Sequence, residues 1–304
     1  MKSTTLTVLT KRNIKLFFRD KGMFFTALIT PAILLVLYAT FLADVYRDSF
    51  TIGLPENIPL NEELIDALVG GQLVSSILAV SCVTVAFCSN FLMVNDKVTG
   101  ALRDITVSPV RASTLALSYY IATVISTLTV CISAMCICLI YIAAVGWYMS
   151  VGDVLLLILD VILLVLFGTA LSSIINLFLT SQGQISAVGT IVSSGYGFIC
   201  GAYMPISSFG EGLQTVISFL PGTYGTSLVR NHAMRGALDA MIDAEVPIEA
   251  IDTLRDVLDC NLYFFDTEVG VGYMYLILAA SVAVLIGIYV FLNAKRGRKN
   301  RAEQ

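Results

Sequence analysis

Between Arg111 and Asp153 the chain carries no charged residue, and between Asp153 and Glu211 it carries only Asp160. An α-helix needs about 20 predominantly apolar residues to cross the hydrocarbon core of a bilayer. Runs of this length leave little choice of solvent. Only 13% of the residues are charged and 57% are hydrophobic, against about 25% charged in soluble domains. The expectation is an all-α integral membrane protein forming one domain over residues 1–304.

Charge punctuation divides the chain into six expected transmembrane helices, at 23–43, 71–94, 114–145, 154–179, 185–204 and 271–292. Pro31 falls inside the first, and Thr180 to Gln184 separate the fourth from the fifth. The first run is about 20 residues long with no small-residue cleavage pattern after it, so it reads as a retained span. The seven cysteines form no CxxC pair, and the one histidine, His232, has no neighbouring ligand in sequence. The cysteines read as small packing residues, and no metal site is expected.

Sidedness follows from the basic residues. Lys2, Lys11, Arg12, Lys15, Arg19 and Lys21 precede the first span, and Lys295, Arg296, Arg298, Lys299 and Arg301 follow the last. Lys97, Arg103 and Arg111 lie between spans two and three, which brings fourteen of the eighteen Lys and Arg to one side. Arg47, Arg230, Arg235 and Arg255 fall on the other, with most of the acids. The expected location is the plasma membrane, multi-pass, with both termini and the 95–113 loop cytoplasmic and 205–270 as an extracellular region.

Three flanking segments carry their own periodicity. In residues 1–22, Lys11, Arg12, Lys15 and Arg19 share one helical arc and Leu6, Leu9, Leu16 and Phe17 the other. That is a basic amphipathic interface helix. In the 95–113 loop, Val98, Ala101, Leu102 and Ile105 make one apolar face of a short helix that stops at Ser108–Pro109. After the fifth span, Phe209, Leu213, Val216, Ile217 and Leu220 suggest a re-entrant helix broken at Pro221–Gly222. A second helix, with Ile248, Ile251, Leu254 and Leu258 on its apolar face, follows Pro247.

The chain resembles permease subunits of the ABC-2 type exporter family. The match lies in "KRNIKLFFRDKGMFFTALITPAILLVLY", "NDKVTGALRDITVSPVRAST" and "GAYMPISSFGEGLQTVISFLPGTYGTSLVRNHAMRG", in that order. The resemblance implies that the second stretch is a coupling helix seated on a separate ABC ATPase subunit, with Asp96, Val98, Gly100, Ala101, Leu102, Arg103 and Ile105 as contacts. It also implies a homo- or heterodimer of permease subunits that moves a drug, lipid, glycolipid or peptide outward. Many relatives carry two acids in a Glu-x-Glu-x-Gly pattern here, whereas this chain has Asn95–Asp96–Lys97–Val98–Thr99–Gly100.

No GxxxxGK[ST] occurs. ATP and Mg are therefore expected on the partner ATPase, with no cofactor on this chain and no catalytic residues of its own. Asp160 is an acid inside a span, a functional hypothesis by default. With Ser172 and Asn176 it marks a candidate substrate path, interhelical packing being the competing reading. The rival functions are a proton-coupled secondary transporter using Asp160, a membrane-embedded enzyme, and an ABC-type complex that senses or moves lipids locally. Gly197-x-x-x-Gly201 marks a close approach within the chain or at a dimer seam.

Overall fold

The structure is a computed structural model that describes residues 2–43, 47, 62–108, 110–265 and 267–302. Pro109 and the side chains of Lys2, Arg296, Arg298, Lys299 and Arg301 lie outside the described part. The chain opens with α1 (Lys2–Arg19) and α2 (Lys21–Leu37), the latter passing through Pro31 into a π-helical turn at Tyr38–Leu42. Then come α3 (Glu62–Val98), α4 (Ala101–Val107), α5 (Ala112–Val145), α6 (Val151–Phe178) and α7 (Gln182–Ile199). The rest comprises α8 (Glu211–Ser218), α9 (Pro221–Asp243), α10 (Ile248–Val257) and α11 (Val271–Ala302). The described strands are β1 (Tyr263–Phe264) and β2 (Thr267–Glu268), a two-residue antiparallel pair with Tyr263 opposite Glu268.

Among the described residues, four helices are long and apolar enough to cross a membrane: Glu62–Val98, Ala112–Val145, Val151–Phe178 and Val271–Lys295. The chain is an all-α membrane protein. Helix α3 is its axis. At 37 residues it runs about 55 Å, longer than a hydrocarbon core of about 30 Å. It packs against α2, α5, α6, α7 and α9 and is buried nearly all round, as befits a helix without a polar face. Several polar side chains among these helices pair across them or bond back to backbone, while others, Gln72 and Asn176 among them, are buried without a hydrogen-bond partner among the described residues. Asn90 Nδ2 donates to Ser172 and Ser173, at 3.0 and 2.9 Å, and Thr84 Oγ1 donates to Val80 O.

The segment after α7 departs from expectation. The break at Leu220–Pro221 is present, with Pro221 opening the new helix, where its missing N–H costs nothing. The helix it opens is longer and more deeply packed than the pattern suggests: α9 is 23 residues long, and every residue from Gly222 to Met234 is buried. It runs antiparallel to α6. Gly222 lies near Phe167 and Gly225 against Leu164, both well inside α6, whereas Arg235 pairs with Asp153 in the first turn of α6. Thr, Ser, Asn, His and Arg interrupt its apolar stripe, so the hydropathy pattern conceals a helix buried against α3, α6 and α11. Arg230, counted from sequence among the outer charges, is buried.

Gly197 and Gly201 both mark close approaches within the chain. A Cβ at Gly197 would fall inside the Tyr203 ring, and Gly201 turns the backbone at φ 73°. Helix α10 starts after Pro247 as expected, with Ile251, Leu254 and Leu258 buried but Ile248 exposed.

Candidate functional site

The short helix α4 is set by its flanks. Gly100 sits at φ 84° at its N-terminus, in the left-handed region, which glycine enters without a Cβ penalty. Nothing lies within 4 Å of where a Cβ would stand, so the requirement there is conformational rather than spatial. Ser108 ends the helix in an extended conformation, and its Oγ donates to Ile105 O at 2.6 Å. No α4 residue is buried.

Three consecutive residues at the root of α4 each hold a different element. Asn95 Oδ1 accepts from Gln182 Nε2 of α7 at 2.7 Å. Asp96 accepts from both terminal nitrogens of Arg12 on α1, at 2.7 and 3.3 Å, and from Tyr119 Oη of α5 at 2.5 Å. Lys97 Nζ donates to the carbonyls of Asn176, Leu177 and Leu179, at 2.8, 2.8 and 3.2 Å. It thereby caps the C-terminal end of α6, where a cation complements the helix dipole. The hydrogen bond and charge of Asp96 hold the Arg12 guanidinium above its ordinary pKa.

The sequence-derived contact residues divide into two groups. Val98 and Arg103 are exposed, with Asp104, Thr106 and Val107 beside them, Val107 at 88%. Leu102 and Ile105 instead turn toward the body of the protein, against a cluster of Met93, Leu115 and Tyr119 joined by Leu9 of α1. Ala101 is half-buried, and Asp96 is committed inside the chain. On α1, Lys11, Lys15 and Arg19 are exposed, but Arg12 leaves that basic face for Asp96. Thr10, Asn13 and Phe17 form the buried stripe of α1, so this helix packs on α5 as well as presenting a basic face.

The candidate path residues stand away from open space. Asp160, Ser172 and Asn176 are fully buried between helices, and none lines either of two cavities found beside α9 among the described residues. His232, isolated in sequence, places Nδ1 2.6 Å from Asp160 Oδ2, and Tyr275 Oη donates to Asp160 Oδ1 at 2.5 Å. One carboxylate thus joins α6, α9 and α11. Two further ion pairs brace α9: Arg235 with Asp153, and Arg230 with Asp259 at 3.1 Å. Arg230 also donates to Gly201 O at 2.9 Å, and Asp259 accepts from Ile206 N at 2.9 Å. Burial pushes the Asp259 carboxyl up, and Arg230 works against that. Sequence reading missed this constellation because His232, Tyr275 and Asp160 lie far apart in the chain. The signal available was a histidine and two arginines within 23 residues that hold no proline after Pro221.

Of the two cavities, the polar one, of about 490 Å³, is lined by Glu211, Gln214, Asp256, Asp259, Asn261 and Tyr263, among others. The apolar one, of about 500 Å³, lies between α6, α7, α11 and the start of α9. A family model for the ABC-2 type transporter matches residues 4–233. Comparison with curated proteins gives no match.

Proposed function

Because the chain belongs to the ABC-2 type transporter family and is therefore a permease component of an ABC-type transporter, we propose that α4 is the coupling helix through which a separate ABC ATPase drives export. The observation that carries this reading is the root of α4. A seven-residue helix with no buried residue is nonetheless fixed by Asn95, Asp96 and Lys97 to α7, α1, α5 and α6. A connector needs no such anchorage; a lever does. The docking face we infer is Val98, Arg103, Asp104, Thr106 and Val107, continued by Lys11 and Lys15 of α1.

In this reading six spans cross the membrane. The shorter helices α2 and α7 join the four long ones, α8 and α9 form a re-entrant pair on the outer side, and both termini lie in the cytoplasm of a plasma-membrane protein. Two permease chains and two ATPases make the working unit. ATP and Mg bind the ATPase, and a hydrophobic or amphipathic substrate moves outward. Asp160 serves as a brace. Its two partners, His232 and Tyr275, and its absence from the lining of both cavities favour this over proton carriage.

The test is to purify the tagged chain in mild detergent from its native membrane and identify what accompanies it. An ATPase of comparable abundance should copurify with the wild-type chain and be lost from Arg103→Glu/Val107→Asp, two exposed changes that leave the fold alone. If no ATPase accompanies the wild-type chain even after cross-linking, the coupling reading fails.

A further inference from the structure

The polar cavity of about 490 Å³ lies between α8, the opening of α9 and residues 256–265. Its volume falls within the roughly 300–1,000 Å³ typical of sites for small organic molecules. The lining runs from exposed Glu211, Thr215, Asp256 and Phe265 to buried Thr223 and Tyr224, so the cavity is open at one end and closed by the fold at the other.

The hydrogen bonds of this lining decide what it can offer a guest. A hydroxyl has one hydrogen to donate and lone pairs left to accept with. Thr215, Ser218, Thr223 and Tyr224 each give that hydrogen to a backbone carbonyl, at 2.9, 2.8, 3.0 and 2.6 Å. Tyr263 gives its own to Asp256 Oδ1 at 3.0 Å. The Gln214 amide nitrogen donates to Phe209 O at 2.6 Å and to Ser207 O at 3.4 Å. Among the described residues, the lining side chains keep as free donors only the Ser207 hydroxyl and one N–H of Asn261. Acceptors are in surplus. No described residue donates to the Glu211 carboxylate, to Asp256 Oδ2 or to Gln214 Oε1.

Charge points the same way. No Lys or Arg lines the cavity. Arg230, behind it, is committed to Asp259 and Gly201 O. Arg255 gives its guanidinium to two neutral amides, Asn261 Oδ1 and Asn231 Oδ1, both at 3.2 Å. Glu211 and Asp256 are thus without an ion-pair partner among the described residues. The hydrogen bond to Asp256, and the charges of Asp256, Glu268 and Asp252, hold the Tyr263 hydroxyl above its ordinary pKa. A guest must bring positive charge and N–H donors, which excludes an anion and leaves the carboxylates of a neutral guest unmatched. The oxygens are also too dispersed for a metal ion: among the described residues no three acidic, His or Cys side chains converge on one point, whereas calcium takes six to eight oxygens at about 2.3–2.6 Å. Phe265 adds an aromatic wall. Phe264 and Phe219 pack edge-on against its ring, at centroid distances of 5.0 and 6.3 Å, which leaves a face for a cation or an apolar body.

We propose that this cavity binds a small protonated organic amine, whose ammonium N–H groups donate to Glu211, Asp256 and Gln214 Oε1 and whose aromatic or apolar body lies on Phe265. The site shares no residue with the coupling face. Its occupancy is therefore readable without an ATPase or transport, and its failure leaves the permease reading untouched.

The test is calorimetric titration of the full chain in lipid nanodiscs with tryptamine, empty nanodiscs serving as the blank. Tryptamine should bind at one site per chain, more weakly as salt is added, because the carboxylates are exposed. Two analogues separate charge from donors: tryptophol, which is neutral, and N,N,N-trimethyltryptammonium, which is charged but has no ammonium N–H. Each should bind at least about tenfold more weakly, the loss expected when hydrogen bonds to a charged group are forfeited. Glu211→Gln should weaken tryptamine about tenfold. Thr215→Arg, which puts a guanidinium one helical turn from Glu211, should abolish binding. Both positions are exposed, so the melting temperature should hold, and these variants keep the test open if Asp256→Asn, which also disturbs Tyr263 and Asn261, does not fold. Absence of saturable binding below about 1 mM overturns the proposal. So does equal binding of either analogue, unchanged affinity in Glu211→Gln or Thr215→Arg, or mole-for-mole displacement of tryptamine by calcium, which would make this a metal site.

Discussion

The ion pair of Arg230 and Asp259 offers a quantitative check on the burial of α9. Arg230 is 1% exposed and Asp259 4%, and a guanidinium is not deprotonated in proteins. Asp259→Asn keeps the volume and leaves an acceptor for Ile206 N–H, but it strands the guanidinium with only Gly201 O at 2.9 Å as a partner among the described residues. Breaking one partner of a buried pair costs about 3–5 kcal/mol, whereas replacing both with groups of similar volume is often close to neutral. The single variant should therefore lose about 3–5 kcal/mol, a fall in melting temperature on the order of 10 °C in detergent. Arg230→Met/Asp259→Asn should recover most of that, giving a strongly non-additive cycle. The readout is thermal unfolding of the purified chain, at one detergent concentration for all three variants. A single variant that loses less than about 1 kcal/mol, or a double variant less stable than the single, would refute a charge sealed inside the protein and return Arg230 to the outer surface.

Individual contacts set further outcomes. Gly100→Ala should cost about 1–2 kcal/mol, because φ 84° is strained for alanine although its Cβ meets nothing. Gly236→Ala, whose Cβ would stand 2.0 Å from Tyr148 O, should cost about 1–3 kcal/mol by overpacking. Melting curves and expression yield check both, and a larger loss at Gly100 than at Gly236 contradicts the geometry. Asp96→Asn should leave ATPase copurification intact but reduce transport and transport-linked ATP turnover, since Arg12 then loses the charged tether of α1; detachment of the ATPase would instead put Asp96 on the docking face. Asp160→Asn should lower stability by about 1–3 kcal/mol and retain ATP-driven transport, checked in reconstituted vesicles. Transport abolished with stability unchanged would revive the proton-carrier reading.

The membrane class, the short helix after span two and the break at Pro221 were legible because each rests on a local rule: run length, an i, i+3, i+4, i+7 stripe, or a missing N–H. Of the expected stripe, Ala101, Leu102 and Ile105 lie on α4, whereas Val98 ends α3, exposed and cut off by the left-handed Gly100, and which way the stripe faces was not legible. Leu102 and Ile105 turn inward because Met93, Leu115 and Tyr119 offer a partner surface that no local pattern reveals. Arg12 reads as one of four basic residues on an arc until Asp96, 84 positions away, is brought beside it. Helix α9 was missed for a related reason. Hydropathy counts Asn231, His232 and Arg230 as water-seeking, whereas Asn231 Nδ2, His232 Nδ1 and Arg230 Nη1 find partners across the fold in Cys260 O, Asp160 and Asp259. Sequence-level polarity measures demand for partners, and only the tertiary structure shows that the demand is met inside.

These contacts also indicate how motion at α4 would reach α9. Asp96 and Gly71 lie on the same continuous helix, α3, about 37 Å apart along its axis. At Gly71 the helix touches α9 without clearance. A Cβ there would stand 2.8 Å from Met234 Cγ and 3.0 Å from Ala233 O, immediately beyond the His232 brace. Direct contact, not a flexible loop, thus joins the α3 root to α9. Gly71→Ala should wedge this contact apart by a few tenths of an ångström. The ATPase should remain bound, stability should fall by about 1–3 kcal/mol from overpacking, and transport per ATP hydrolysed should drop. The nearest obstructing atom belongs to a flexible side chain, so Gly71→Ala/Met234→Ala should restore part of both losses. Reconstituted vesicles with parallel ATPase assays measure the ratio. If the wedge leaves transport per ATP unchanged, or the relieving substitution restores stability without restoring that ratio, force from the coupling helix does not travel through α3 to α9.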